Sequence, residues 1–212
     1  MVDGPAGQWR RPTRLFLRFL LLNAGLVAFG IGIAVMARAD LGLGPWAALH
    51  QGISHHVGLP MGTVEIVVGV LVLAAWIPLR ERPGPGTLLA AFVVGLATNV
   101  GLDHIQPVGD PTLRVAAMFA GAGLIALGSA FYLSAAMGPG PRDGLMTGIQ
   151  RRFGWPLAWV RTGIEASALI VGAALGGAIG PGTIVYAVII GPLLWLILRQ
   201  MGSRHVLWPG RP

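Results

Sequence analysis

The stretch Met137-Gly-Pro-Gly-Pro-Arg-Asp-Gly-Leu145 lies between two long apolar segments and repeats the pattern of Leu41-Gly-Leu-Gly-Pro-Trp-Ala-Ala-Leu49. A shift of 96 residues, from 42 to 138, aligns the glycines and prolines of the two stretches. Glycine and proline determine turns and helix ends, so their recurrence at a fixed distance indicates that one backbone path is used twice. The sequence therefore predicts a tandem duplication with two chain breaks, one at Gly42, Gly44 and Pro45 and one at Gly138, Gly140 and Pro141.

The composition is that of a membrane protein. The 212 residues are 54% hydrophobic and 11% charged, with a mean hydropathy of +0.71, whereas soluble domains carry about 25% charged residues. The net charge of +7 comes from arginine, which membrane proteins concentrate on the cytoplasmic side. No basic run is interleaved with aromatic residues, so we expect no nucleic-acid partner. The sequence contains no cysteine, which excludes disulfides and thiolate metal sites.

The apolar segments predict an all-α polytopic membrane protein with six transmembrane helices, since a span needs about 20 apolar residues. The predicted spans are about Leu15–Ala37, Met61–Leu79, Thr87–Leu102, Leu113–Ala136, Leu157–Leu175 and Thr183–Leu198. Two further segments, Pro45–Val57 and Pro141–Phe153, are too short to span and begin with proline, which favours the first turn of a helix. Each is predicted to form a half-helix that re-enters the membrane or lies on its surface.

The arginines predict the orientation. With a cytoplasmic N-terminus, twelve of the fifteen basic residues lie inside, only Arg38 and Arg114 lie outside, and Arg161 falls within a span. This bias predicts a protein of the cell membrane whose two termini both lie on the cytoplasmic side. A repeat with three spans crosses the membrane an odd number of times, so the second copy must be inverted. Inverted repeats with interrupted helices are common in secondary transporters.

The predicted organisation is a disordered cytoplasmic segment at 1–13, a first repeat at 14–105, a second at 110–201 and a cytoplasmic tail at 202–212. A secretory signal is the alternative for the N-terminus. The apolar run 19–36 is longer than a signal's apolar region of about 7–15 residues, and cleavage would divide one repeat.

Small residues recur at helical spacing in the third and sixth spans. Ala91 and Gly95 are four residues apart, and the shift aligns them with Ala187 and Gly191. Such pairs let helix backbones approach closely in lipid. The pattern is explained by ordinary packing within the protein; a sharper hypothesis is that these two spans meet near the axis that relates the repeats.

Three motifs together resemble the YczE/YitT-type family of bacterial integral membrane proteins: Gly-x-Gly-Pro-Trp, Gly-x-Gly-Pro-Arg-Asp-Gly-Leu-Met and the late Gly-x-Gly-Thr. The resemblance covers about Leu15 to Arg199 and is most specific at Gly138–Met146. It implies a multi-span membrane protein without an established reaction. This chain has Ala47 where an aspartate often follows the tryptophan in the first half, so the acidic residue remains only as Asp143.

Arg142 and Asp143 begin the second half-helix, where exposed N–H groups and the helix dipole favour anions. Arg142 is a candidate to hold an anionic ligand or an inner gate, and Asp143 is a candidate helix cap. The alternative is a cytoplasmic loop with a capping aspartate and an arginine placed by the charge bias.

Arg161 and Glu165 are four residues apart in the fifth span, where an unpaired charge costs about 3 kcal/mol. We expect them to pair and to face the bundle interior. The shift aligns Glu65 with Arg161, so a second possibility is an ion pair between these two across the repeats. These three residues are the interior candidates for substrate binding or proton coupling; a structural bridge near the helix end is the alternative.

The leading hypothesis is a protein that moves a small solute by secondary or passive transport, because no nucleotide-binding motif is present. The alternative is a membrane scaffold or regulator of a partner enzyme. We expect no enzymatic activity, cofactor or metal site, since no nucleophile–base pair or ligand cluster is visible. A hydrated cavity that reaches Arg161, Glu165 and Glu65 would favour transport, and a tightly packed interior would favour the scaffold.

Overall fold

The structure is a computed structural model that describes residues 12–202, with side chains from residue 15 onward. Those residues form eight helices and no strand. The helices are α1 (Pro12–Ala39), α2 (Pro45–Val57), α3 (Met61–Leu79), α4 (Pro85–His104), α5 (Pro111–Ala135), α6 (Pro141–Phe153), α7 (Leu157–Ala174) and α8 (Pro181–Gln200).

Six of these helices are long and apolar enough to cross a membrane, as predicted: α1, α3, α4, α5, α7 and α8. The predicted half-helices are α2 and α6, each of 13 residues. The predicted N-terminal segment 1–13 and tail 202–212 lie outside the described residues, except that residues 12 and 13 already belong to α1 and residue 202 lies in a turn.

The outward faces of the long helices are apolar. Leu71 is 63% exposed, Ile184 69% and Trp159 75%, and many other large apolar side chains share this position. Soluble proteins rarely expose contiguous apolar surface on this scale. Lipid is the solvent that these faces fit.

The two chain breaks have the same backbone. Gly42 has φ +117° and Gly138 has φ +124°, in the region that disfavours any side chain. Each break is followed by a helix whose first residue is proline, at 45 and at 141. The proline starts the helix without loss, because its missing N–H has no partner at that position.

The centre of the bundle is an antiparallel pair formed by α1 and α5. Glycines bring the two backbones together: a Cβ on Gly25 would lie 2.7 Å from the carbonyl oxygen of Gly128, and one on Gly32 would lie 2.8 Å from that of Gly121. Arg18 near the start of α1 donates to the carbonyl of Ala135 at 2.7 Å, the last residue of α5. The direction of the two helices follows from these contacts.

Contacts between the halves are reciprocal. As Arg18 caps the end of α5, so Arg114, 96 residues later, donates to the carbonyl of Ala39 at 2.7 Å, the end of α1. The N–H of Gly86 donates to Met137 at 2.9 Å, and the N–H of Gly182 donates to Leu41 at 2.8 Å. In each case a bond from the first half to the second is matched by a bond from the second half to the first, between the equivalent residues.

The small-residue motif is used differently in the two halves. Gly95 of α4 packs directly against Gly62 of α3, with backbone touching backbone. Its counterpart Gly191 has open space, since an added Cβ would meet no atom within 4 Å. The hypothesis that the third and sixth spans meet near the axis that relates the repeats is wrong, because α1 and α5, rather than α4 and α8, form the extensive contact between the halves. Gly95 instead packs within its own half, as the alternative of ordinary packing predicts.

Candidate functional site

A cavity of about 620 Å³ lies between the two halves and is lined by residues from both breaks. Most of the wall is apolar and comes from α1, α3, α5 and α8. The polar lining is concentrated at the N-terminal ends of α2 and α6, where Trp46, His50, Glu65, Tyr132, Arg142 and Asp143 meet. This size and mixture are typical of a site for a small molecule with an apolar body.

Glu65 is the most buried acid in the described part of the chain, at 5% exposure. Its Oε1 lies 3.1 Å from Nη2 of Arg142, and its Oε2 accepts from the hydroxyl of Thr98 at 3.1 Å. The sequence suggested Arg161 as its partner across the repeats, and that prediction is wrong. Glu65 is on α3, which packs against α6 rather than α7, so the arginine within reach is the one that begins α6.

Arg142 connects the starts of the two half-helices. While one nitrogen bonds Glu65, its guanidinium carbon lies 4.8 Å from the centre of the Trp46 ring, at the start of α2. A cation over an indole face is attracted by the ring electrons. The side chain remains partly exposed toward the cavity, at 30%, so its other N–H groups are available to a ligand.

His50 faces the same space and has no hydrogen-bond partner. It is 1% exposed, neither ring nitrogen is bonded, and Nδ1 lies 3.9 Å from Oε1 of Glu65. Desolvation by burial, and next the charge of Arg142, hold the pKa of His50 well below its ordinary value. The neutral ring therefore presents one donor and one acceptor nitrogen.

Asp143 does not cap α6, contrary to the sequence hypothesis. Gly140 occupies the cap position, and no side-chain cap hydrogen bond forms there. The Asp143 carboxylate instead accepts a short hydrogen bond from the hydroxyl of Tyr132 on α5. Because Asp143 is in the first turn, its charge still stabilises the helix dipole.

Arg161 and Glu165 form the pair that their spacing predicts, with Nε and Oε1 3.0 Å apart. They line the cavity, but the arginine side chain is 63% exposed and the glutamate 36%. This pair therefore lies at the exposed edge of the cavity rather than in the bundle interior, where the sequence placed it, whereas Glu65 and Arg142 lie inside the cavity. The structure brings four of the five candidate charges into two separate pairs and links the fifth, Asp143, to Tyr132.

Sequence reasoning missed His50 and Trp46 as cavity residues. They are four apart on α2, and the proline at 45 places both on the first turns of that helix. Their spacing could have shown a shared helix face directed toward the second break. The indole N–H of Trp46 is, like the His50 ring, buried without a partner.

Comparison with known proteins finds relatives over nearly the whole helical region. Residues 16–199 match a model described as a family of unknown function, DUF6198. The chain is 34% identical over 187 residues to an uncharacterized protein of Haemophilus influenzae, covering 88% of this chain and 86% of that one. It is 34% identical over 189 residues to the uncharacterized membrane protein YczE of Bacillus subtilis, with coverage of 88% and 87%.

A third relative, the uncharacterized protein YyaS of Bacillus subtilis, is 26% identical over 199 residues, with coverage of 92% and 98%. No solved structure matches the chain. The resemblance to the YczE type that the Gly-x-Gly-Pro motifs predicted is confirmed by these matches.

Proposed function

The chain belongs to the family of unknown function DUF6198, and from its helices and cavity we propose that it is a bacterial inner-membrane protein that moves a small solute. The single observation that carries this proposal is the cavity of about 620 Å³, which contains paired charges and unpartnered polar groups between two half-helices. A scaffold does not require a cavity of this size, because the interior of a stable protein is closely packed.

We further propose that the two halves are inverted repeats. The reciprocal contacts support this arrangement, because exchange of equivalent partners is the property of a two-fold interface. The axis that relates an antiparallel pair such as α1 and α5 is perpendicular to both helices. If these helices cross the bilayer, the axis lies in the membrane plane, as it does in many secondary transporters.

The difference between the halves supports alternating access. α3 and α4 are in close contact through Gly62 and Gly95, whereas the space beside Gly191 on α8 is open. In an inverted-repeat protein the two halves exchange such states, so α7 and α8 would close as α3 and α4 separate. Transport would be secondary or passive, with both termini in the cytoplasm according to the arginine distribution.

A disulfide between α3 and α4 is expected to stop transport. The Cβ position of Gly69 lies 3.6 Å from Cβ of Ala91, within the range of disulfides, and the protein has no cysteine of its own. Oxidised Gly69→Cys/Ala91→Cys should lose transport completely, because α4 can no longer separate from α3, and a reductant should restore it. Single variants treated with the same oxidant serve as controls; full transport with complete crosslinking would contradict alternating access.

The solute can be identified with membrane vesicles that are loaded with cell extract. The metabolites retained by vesicles that contain the protein are compared with those retained by vesicles that lack it. The proposal expects at least one small solute to differ, and to stop differing when the Gly69–Ala91 crosslink is closed. If folded protein in vesicles changes no solute, the scaffold alternative is favoured.

A further inference from the structure

Hydrogen-bond donors without partners line the cavity. α2 and α6 both begin at its wall, and neither has a side-chain cap. The first N–H groups of a helix have no partner within the helix, and the positive end of the helix dipole lies there. Two such ends face one space, together with the guanidinium of Arg142.

Buried side chains add further donors to this lining. The indole of Trp46 can only donate, its N–H is buried without a partner, and it lies beside Arg142. The neutral ring of His50, at 1% exposure, contributes one unbonded donor nitrogen and one unbonded acceptor nitrogen. Buried donors without partners are rare in folded proteins, and each is satisfied when an acceptor enters. A ligand rich in acceptor oxygens fits this lining.

The charges restrict the ligand further. Arg142 is the cation inside the cavity, because Arg161 at the exposed edge is paired with Glu165. The carboxylates of Glu65 and Asp143 lie close to Arg142. A dianion would meet both of these negative charges, whereas a carboxylate with one charge matches one guanidinium. The remaining wall is apolar, with Ile33, Val72 and Leu194 among its residues. The body of the ligand is therefore apolar and its head is a carboxylate.

We propose, on the basis of the transport function above, that the solute is a small organic monocarboxylate and that its head takes the place of Glu65 on Arg142, with Glu65 gaining a proton. A buried carboxylate that loses its cation is costly unless it is neutralised. The proton comes from the solvent that enters with the ligand, so one anion and one proton are bound together and no net charge is added. The protein is then an anion–proton cotransporter.

The groups around Glu65 are consistent with this coupling. From α2 it faces His50, from α4 the hydroxyl of Thr98 and from α6 Arg142. The other ionisable groups of the cavity are Tyr132, Asp143, Arg161, Glu165 and Tyr186. Burial disfavours a charged imidazole at His50, and Thr98 does not ionise. The proton therefore goes to Glu65, whose carboxylate loses its cation when Arg142 is occupied.

Calorimetric titration of the purified protein in detergent tests the inference without depending on transport. The probes are acetate, hexanoate, benzoate and phenylacetate, with benzamide as the neutral control and inorganic phosphate, titrated at mildly alkaline pH where it is a dianion, as the dianion control. We expect at least one of the apolar carboxylates to bind, benzamide and phosphate not to bind, and affinity to rise as the pH is lowered. The heat should vary with the ionisation enthalpy of the buffer, because a proton is taken up.

Two variants of the ion pair should have opposite effects. Arg142→Gln should abolish binding, whereas Glu65→Gln should tighten it about tenfold at mildly alkaline pH and remove its pH dependence, because the guanidinium is already free. A misfolded variant cannot bind more tightly, so the Glu65→Gln result is not an effect of instability. Absence of binding by every carboxylate, equal binding of benzamide, or weaker binding by folded Glu65→Gln would overturn the proposal.

These outcomes separate the inference from the proposed function. If a carboxylate binds and the two variants change its binding as expected, but no transport occurs in vesicles, the site is retained and the transport function is rejected. Transport of an uncharged solute that is stopped by the Gly69–Ala91 crosslink, without carboxylate binding, would retain the transporter and reject the monocarboxylate.

Discussion

Replacing Gly25 and Gly128 together with alanine is expected to prevent the helical bundle from assembling. A Cβ on Gly25 would lie 2.7 Å from the carbonyl oxygen of Gly128, and one on Gly128 would lie 2.6 Å from the backbone nitrogen of Phe29. Backbone atoms cannot turn away as a side chain can, so α1 and α5 must separate along their contact. The expected loss is about 3 kcal/mol or more, since overpacking costs about 1–3 kcal/mol at a single site.

Thermal unfolding in detergent, followed by size-exclusion chromatography, measures this effect. Gly123→Ala is the matched control, because it is on the same helix and an added Cβ there meets no atom within 4 Å. The control should be as stable as the natural protein or slightly more so, given the better helix propensity of alanine. Equal stability of Gly25→Ala/Gly128→Ala and Gly123→Ala would show that α1 and α5 do not form the central contact.

Removing one partner of the buried ion pair should destabilise the protein strongly. Arg142→Gln leaves Glu65, at 5% exposure, with Thr98 as its remaining hydrogen-bond partner. Breaking a buried pair by removing one charge costs about 3–5 kcal/mol, and the partial exposure of Arg142 favours the lower end. The loss should be greatest at alkaline pH and smaller at acid pH, where Glu65 can be protonated.

The double variant Glu65→Gln/Arg142→Gln should recover much of this stability, because no unpaired charge remains. Glu165→Gln is the control for charge removal as such. Its partner Arg161 is 63% exposed, so the unfolding temperature should change little. If Arg142→Gln and Glu165→Gln have the same small effect, Glu65 and Arg142 are not paired in the interior.

Much of the fold was predictable because glycines and prolines recur at a fixed shift between the two halves of the sequence. These residues determine where helices begin and end, so one shift locates both breaks and both half-helices. The lengths of the apolar segments locate the six spans. The predicted boundaries of Met61–Leu79 agree with α3 at both ends. The half-helix boundaries Pro45–Val57 and Pro141–Phe153 agree with α2 and α6 at both ends, and the predicted start at Leu157 agrees with α7. The remaining span ends differ by a few residues, since helix ends depend on capping contacts as well as on hydropathy.

The cavity was less predictable, because its contacts join residues distant in sequence. The shift shows that Glu65 and Arg161 occupy equivalent positions, but equivalent positions need not be neighbours. Glu65 lies beside α6 because α3 of the first half packs against α6 of the second half. Nothing in the local sequence predicts that these two helices are neighbours. Arg161 and Glu165, in contrast, pair within one helix, where spacing alone is sufficient.

The opposite orientation of the two halves is the claim on which alternating access depends, and cysteine accessibility tests it most directly. His56 at the end of α2 and Arg152 near the end of α6 are equivalent under the shift, and both are exposed. Single cysteines there, in a protein that has none, should react with a membrane-impermeant maleimide from opposite sides of the membrane: His56→Cys from outside intact cells and Arg152→Cys only in inverted vesicles. Labelling of both positions from the same side would contradict the inverted arrangement.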